Sequence, residues 1–232
     1  MSMRYWLALG GLLYGSVASA QLTTVEGRQV KIDYDADRFT FLTFDYQNKE
    51  QYFQPKYRTL ENGIALDFNA FRLDHTVWQP DDPGRGMVGY YDAYFAFRPK
   101  SGYRITGYEA VFSGHYQIES AGRIDFKQIG QPTVQLGAAG GMRSFNHVVH
   151  FEGADSPLLN GNVTAVARAY ESFAGAFAGE LAPGRVQFEL QEIALKAVLS
   201  PVPEPASGLL LLLGGGALGW RHRRRAKVAA AR

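Results

Sequence analysis

Few side chains of this 232-residue chain stand at spacings that chemistry could use. Asp33-x-Asp35-x-Asp37 has the spacing of the first three ligands of a calcium loop, but Arg38 stands where that loop needs glycine and Phe44 where it needs a bidentate glutamate. His147-Val148-Val149-His150 invites a metal reading on a helix. Its paired valines and flanking phenylalanines favour a strand instead, where the two imidazoles point to opposite faces. His147 then joins Phe145, Val149 and Phe151 at a core edge, and the isolated His75 and His115 are expected at the surface or rim. Gly-x-Ser-x-Gly does not occur, and Gly137–Gly141 lacks the Lys-Ser/Thr of a phosphate loop. Glycoside cleavage needs two opposed carboxylates, but the 21 acids between residues 21 and 203 nominate no pair. The sequence thus names no catalytic residue, metal ligand or cofactor. Aromatic rings offer a different chemistry. Trp78, Tyr90 and Tyr94 are candidate sugar contacts, because such rings join a flat apolar face to a polar rim; burial in a core is the competing reading.

The elements that would position these groups read as strands. Alternation of polar and apolar residues recurs with turn signals, and long helical periodicity is missing, so an antiparallel, jelly-roll-like β-sandwich is expected over residues 21–199. Val30, Ile32 and Tyr34 alternate with Lys31, Asp33 and Asp35 on a wet face. Phe39–Tyr46 follows a turn, Asn62-Gly63 marks a hairpin into Ile64–Leu73, and Asp81–Gly86 is a loop. Gly89–Arg98 carries aromatics on both faces, which predicts a strand with neighbours on both sides. Further strands are expected at Tyr103–Phe112, His115–Ser120, Arg123–Ile129, Val134–Leu136, Phe145–Phe151, Val163–Phe173, Ala176–Leu181 and Arg185–Leu199. In the last of these the apolar positions change parity at Gln191-Glu192, which predicts a bulge or break.

Composition limits the function. The formal charge is +2, but residues 21–203 hold 17 basic against 21 acidic side chains, a net of −4, so the basic surplus belongs to the ends and does not indicate a nucleic-acid surface. Absence of cysteine excludes a disulfide framework and zinc–cysteine sites.

Both ends read as targeting segments. Residues 1–20 combine Arg4, an apolar stretch and Ala18-Ser19-Ala20, the parts of a secretory signal peptide, with signal peptidase expected to leave Gln21 first. At the other end, residues 200–205 form a linker, residues 206–220 hold no ionisable side chain, and residues 221–232 begin with Arg221, His222, Arg223, Arg224 and Arg225. Residues 206–220 are expected to form a single transmembrane helix: fifteen residues make about 22 Å, and local bilayer thinning and snorkelling arginines close the gap to a ~30 Å hydrocarbon core. The positive-inside rule places the basic tail in the cytoplasm and the body across the membrane. Pro203 and Pro205 favour extended backbone between them.

Pro203-Glu204-Pro205, the Leu-rich run and the arginine cluster, in that order, resemble the PEP-CTERM sorting domain of exported Gram-negative proteins. The resemblance covers about 25 residues. It implies recognition near Pro203-Glu204-Pro205 by an exosortase, a membrane cysteine transpeptidase, with the basic cluster holding the chain in the inner membrane until processing. The expected product is a cell-surface or matrix protein associated with exopolysaccharide or biofilm, more a binder than an enzyme. A secreted polysaccharide hydrolase or lyase is the alternative, and a small-ligand or metal binding module is third.

Overall fold

The computed structural model describes residues 22–45, 49–77, 86–119, 122–137, 139–167, 170–172, 180–182 and 184–202. The signal peptide, Trp78, Pro203-Glu204-Pro205, the apolar run and the basic tail lie outside them. The described residues are all-β, with one 3₁₀ turn, Ala36–Arg38. Among them no helix is long and apolar enough to cross a membrane.

The strands in chain order are β1 (Thr23–Glu26), β2 (Val30–Tyr34), β3 (Thr40–Phe44), β4 (Glu50–Tyr52), β5 (Lys56–Leu60), β6 (Gly63–Val77), β7 (Gly86–Pro99) and β8 (Tyr103–Glu119). They continue as β9 (Arg123–Gln128), β10 (Val134–Leu136), β11 (Ala139–Glu152), β12 (Leu158–Val166), β13 (Tyr170–Ser172), β14 (Glu180–Ala182) and β15 (Gly184–Pro201). One antiparallel sheet runs β1-β2-β7-β12-β9-β10, with β3 also on β7 and β4 on β3. The second runs β11-β8-β15-β6-β5, and β13 pairs with β14.

Both sheets contribute to one core. Phe41 of β3 meets Phe68 of β6 edge-on with ring centroids 5.0 Å apart, and Phe97 of β7 meets Tyr108 of β8 at 5.1 Å. Tyr91, buried between them, packs on Phe112 and Phe126 and donates its phenol hydrogen to the Lys127 carbonyl at 3.0 Å. Each such ring removed from water contributes roughly 1.5–3 kcal/mol, so these aromatics hold the two sheets together. Gly161 makes room for Tyr91, since a Cβ there would collide with both the phenol oxygen and the Lys127 carbonyl oxygen.

The two-sided aromatic strand is β7. It pairs with β12 along one edge and with β3 and β2 along the other. The parity change in β15 is a register shift between Leu190 and Glu192 against both β6 and β8. Leu190 and Ile193 are both fully buried because the irregularity at Gln191 restores their common face, while Glu192 turns outward to Arg58.

Three expectations are corrected. His115 belongs to one continuous β8 rather than to a separate strand. Asp33 is not wet but only 6% exposed, because Thr24 Oγ donates to its Oδ1 at 2.6 Å and Arg98 pairs with its Oδ2. His75 is buried on β6, not at the rim. His147 is half-buried against Phe112 and Phe126, and loss of hydration lowers the pKa of its imidazole.

Candidate functional site

The two outer faces of the body have opposite chemistry. On the five-stranded sheet, polar side chains satisfy one another: Arg58 joins Asp67 and Glu192, while Asp74 receives Arg72, Arg185 and Gln187. Ion pairs and hydrogen bonds thus link the polar groups of that face, beside exposed Val148 and Val198. The face includes a row of Ser144, His115 and Glu189 on neighbouring strands, with Ser144 Oγ 3.2 Å from His115 Nδ1. The order matches nucleophile, base and acid, and Ser144 lies on β11, the edge strand of this sheet, just after the irregularity between Ala139 and Arg143. Glu189, however, accepts from Gln191, and among the described residues no hydrogen bond joins it to His115.

The larger sheet presents aromatic rings to solvent. Alternation along β7 turns Tyr91, Ala93, Phe95 and Phe97 inward and Tyr90, Asp92 and Tyr94 outward. Tyr90 is 39% exposed and Tyr94 53%, so both predicted contacts escape the core. Registry places Tyr52, Leu42, Tyr90, Asn162 and Lys127 in one cross-strand row over β4, β3, β7, β12 and β9. The adjacent row sets Thr40, Asp92 and Asn160 side by side, and beyond it Tyr94 lies opposite Leu158. Phe44 braces Tyr90 from beside, stacked at 5.4 Å and 21°. Tyr52, 65% exposed, donates to Glu50 at 2.7 Å, and that bond raises the pKa of its phenol.

A cleft of about 200 Å³ opens at the Tyr94 end of this face, between β7, the end of β2 and the 3₁₀ turn. Asp33, Asp35, Arg38, Asp92 and Tyr94 line it. Asp35 caps the turn by accepting from the Asp37 N–H and pairs with Arg38 at 3.2 Å, while Asp33 is held by Thr24 and Arg98. The Asp-x-Asp-x-Asp spacing therefore serves local structure, and among the described residues no group of three or more His, Asp or Glu is placed to hold a metal ion. Asp92 is different. Neither it nor Asn160 nor Asn162 has a side-chain hydrogen bond or ion pair among the described residues, although all three are half-buried.

Chemically, the face offers flat rings beside amides and a carboxylate that have no side-chain partner among the described residues. A ring can cover an apolar C–H surface while Asn160, Asn162 and Asp92 take hydroxyl groups, which is the division of labour a sugar requires. Four residues along β7 separate Tyr90 from Tyr94 by about 13 Å, and two strand spacings put Tyr52 about 10 Å from Tyr90. Rings that far apart suit a chain of sugars, not a single one. The sequence reading missed Phe44, Tyr52 and the two asparagines. Alternation in β12 could have placed Asn160 and Asn162 on one face, but no local signal pairs that strand with β7.

The described chain ends on a second functional feature. Pro201 of β15 is paired with Tyr103, and the Val202 N–H donates to the Gly102 carbonyl at 3.0 Å, one residue before Pro203. Residues 201–225 match the profile of the PEP-CTERM protein-sorting motif. The chain is thus a β-rich exported protein with a C-terminal sorting signal. It carries a PEP-CTERM motif and is sorted as an exosortase substrate. No curated protein matches the chain in sequence.

Proposed function

We propose that this chain is a cell-surface or extracellular-matrix protein of a Gram-negative bacterium, whose body is a β-sandwich that associates with exopolysaccharide without catalysing a reaction. The observation that carries this reading is the solvent-facing row of Tyr52, Tyr90 and Asn162, with Tyr94, Asp92 and Asn160 beside it. Signal peptidase acts at Ala18-Ser19-Ala20 before Gln21. The inner membrane then holds the chain through residues 206–220 and the cluster Arg221, Arg223, Arg224 and Arg225, until an exosortase acts near Pro203-Glu204-Pro205. Trp78 belongs to the candidate sugar contacts by composition alone.

Binding is favoured over cleavage by the carboxylates of the cleft. Glycosidases generally use two, one as acid and one as base or nucleophile. Here Asp33 and Asp35 are each engaged by an arginine, which leaves Asp92 as the cleft carboxylate without an ion pair among the described residues.

Two measurements test the proposal. Mass spectrometry of the extracellular protein should show Gln21 at the front and loss of the basic tail; an intact Met1 or Arg232 refutes the processing. The mature protein should be retarded in gels containing the producing strain's exopolysaccharide and release no reducing ends or unsaturated products from it. Unretarded migration refutes the association, and released products establish the hydrolase or lyase reading.

A further inference from the structure

The sorting motif and the folded sheet overlap. The match begins at Pro201, and Pro201 is the last residue of β15. Leu199, Ser200 and Pro201 lie opposite Ile105, Arg104 and Tyr103 of β8, and Val202 is bonded to Gly102 in the β7–β8 turn. No residue of slack separates Val202 from Pro203. Proteases and transpeptidases take their substrates as extended backbone free of other pairing, because the enzyme supplies the main-chain partners that a sheet would otherwise occupy. With its backbone still paired to the body, the residue before Pro203 cannot be offered that way.

The end of β15 is nevertheless built to come away. The ladder with β6 stops at Lys196 opposite Gly63, with one more bond from the Ala197 N–H to the Asn62 carbonyl, so among the described residues only β8 and its turn hold residues 199–202. A register irregularity between Val198 and Leu199 marks the boundary of the one-sided segment. Outward of it Ser200 is half-buried and Pro201 and Val202 are exposed, and of the four residues Leu199 packs against the core, so release exposes little of it. Peeling these four residues would give about 13 Å of free extended chain ahead of Pro203.

We propose that the folded body gates its own processing: the strand end Leu199–Val202 is a latch on β8, and the exosortase acts on molecules in which that latch has opened. Two or three ladder hydrogen bonds close it, each a modest net contribution, so the open form is about tenfold to a hundredfold less populated than the closed one. Processing is slowed by that factor relative to a motif with free chain before it.

The test uses the full-length chain in cells that carry the exosortase, with pulse–chase detection of tail loss. Inserting Gly-Ser-Gly-Ser between Val202 and Pro203 leaves the latch closed but frees the motif, and should accelerate processing about tenfold or more. The reverse variant is S200C with R104C. These residues face each other across the ladder within the Cα separation a disulfide spans, and the chain has no other cysteine. Oxidised, it should be processed at least tenfold more slowly than the wild type, with the rate restored by a membrane-permeant reductant. An insertion that leaves the rate unchanged or lowers it overturns the proposal, as does wild-type processing of the oxidised pair. Thiol labelling shows whether the disulfide has formed; if it has not, the insertion decides alone.

Discussion

Truncating Tyr90 and Tyr94 separates a binding face from an exposed aromatic accident. Tyr90→Ala removes a ring stacked on Phe44 that is already 39% exposed, so stability should fall by only about 1 kcal/mol, the range of a single aromatic pair. Tyr94, more exposed still, should cost less. If the rings are the anchors of a sugar chain, each truncation should weaken binding by about 1.5–2 kcal/mol, or roughly ten- to thirtyfold. Four residues on a rigid strand keep the two sites about 13 Å apart, beyond direct contact, so their losses should nearly add to about 3–4 kcal/mol. Affinity electrophoresis of the mature protein in gels of graded exopolysaccharide content gives the dissociation constants, and urea melts give stability on the same samples. Val148→Ala provides the control, since Val148 is as exposed as Tyr90 but lies on the five-stranded sheet. A double variant that keeps its fold and binds within threefold of the wild type would refute the argument, as would an equal loss in the control.

Other consequences concern the scaffold. Gly161→Ala forces a methyl into the Tyr91 phenol and breaks its bond to Lys127, and should cost about 2–4 kcal/mol in a urea melt; a loss under about 0.5 kcal/mol would contradict the close approach. Deleting Gln191 removes the β15 irregularity and turns either Leu190 or Ile193 outward, so the protein should fail to give a cooperative melt, whereas Gln191→Ala should melt normally. Burial keeps the His147 pKa below that of the unfolded chain, so the unfolded state takes up a proton first on acidification. Stability should therefore fall as pH drops from about 6.5 toward the lowered value, and His147→Phe should flatten that part of the profile. Tyr57, raised to about 12 chiefly by burial, acts at the other extreme: its contribution is intact below about pH 10 and fades above it, which a Tyr57→Phe comparison would show.

Much of this architecture was legible where one residue pattern decided one geometry. The aromatics on both faces of Gly89–Arg98 pointed to a central strand, which β7 is, and the parity change at Gln191 required an irregularity, because a pleated strand has no other way to bury Leu190 and Ile193 together. Asn62-Gly63 marked the β5–β6 hairpin, whose two turn residues are Glu61 and Asn62, with Gly63 already paired to Leu60. The short strands β1, β4 and β5 escaped notice, since sequences such as Glu50-Gln51-Tyr52 have no apolar alternation and depend on their neighbours for pairing. Ser113-Gly114 separated two expected strands, yet both belong to one continuous β8, with Ser113 on its outward side and Gly114 on its inward side. Asp33 looked wet because alternation reveals a face but not the Arg98 and Thr24 that cover it. For Tyr90 and Tyr94, alternation marks two aromatic sides of β7 without saying which one the second sheet covers. That choice arises from long-range assembly, as does the arrival of Tyr52 from β4 and of Asn160 and Asn162 from β12 on the same face.

The position of β15 also determines how the body bears mechanical force. From Arg185 to Lys196, apart from the irregularity at Gln191, it is bonded to β6 on one side and β8 on the other, and its far end leads to the sorting motif. A pull applied through that end runs along the strand axis and loads both ladders in shear, so their hydrogen bonds share the tension instead of parting one by one. Leu199–Val202, bonded on one side, would yield first and lengthen the link by a few ångströms per residue while the two-sided section stayed closed. Drag from a long polymer bound to the other sheet would thus be taken up by a short extensible leader before it reached the core.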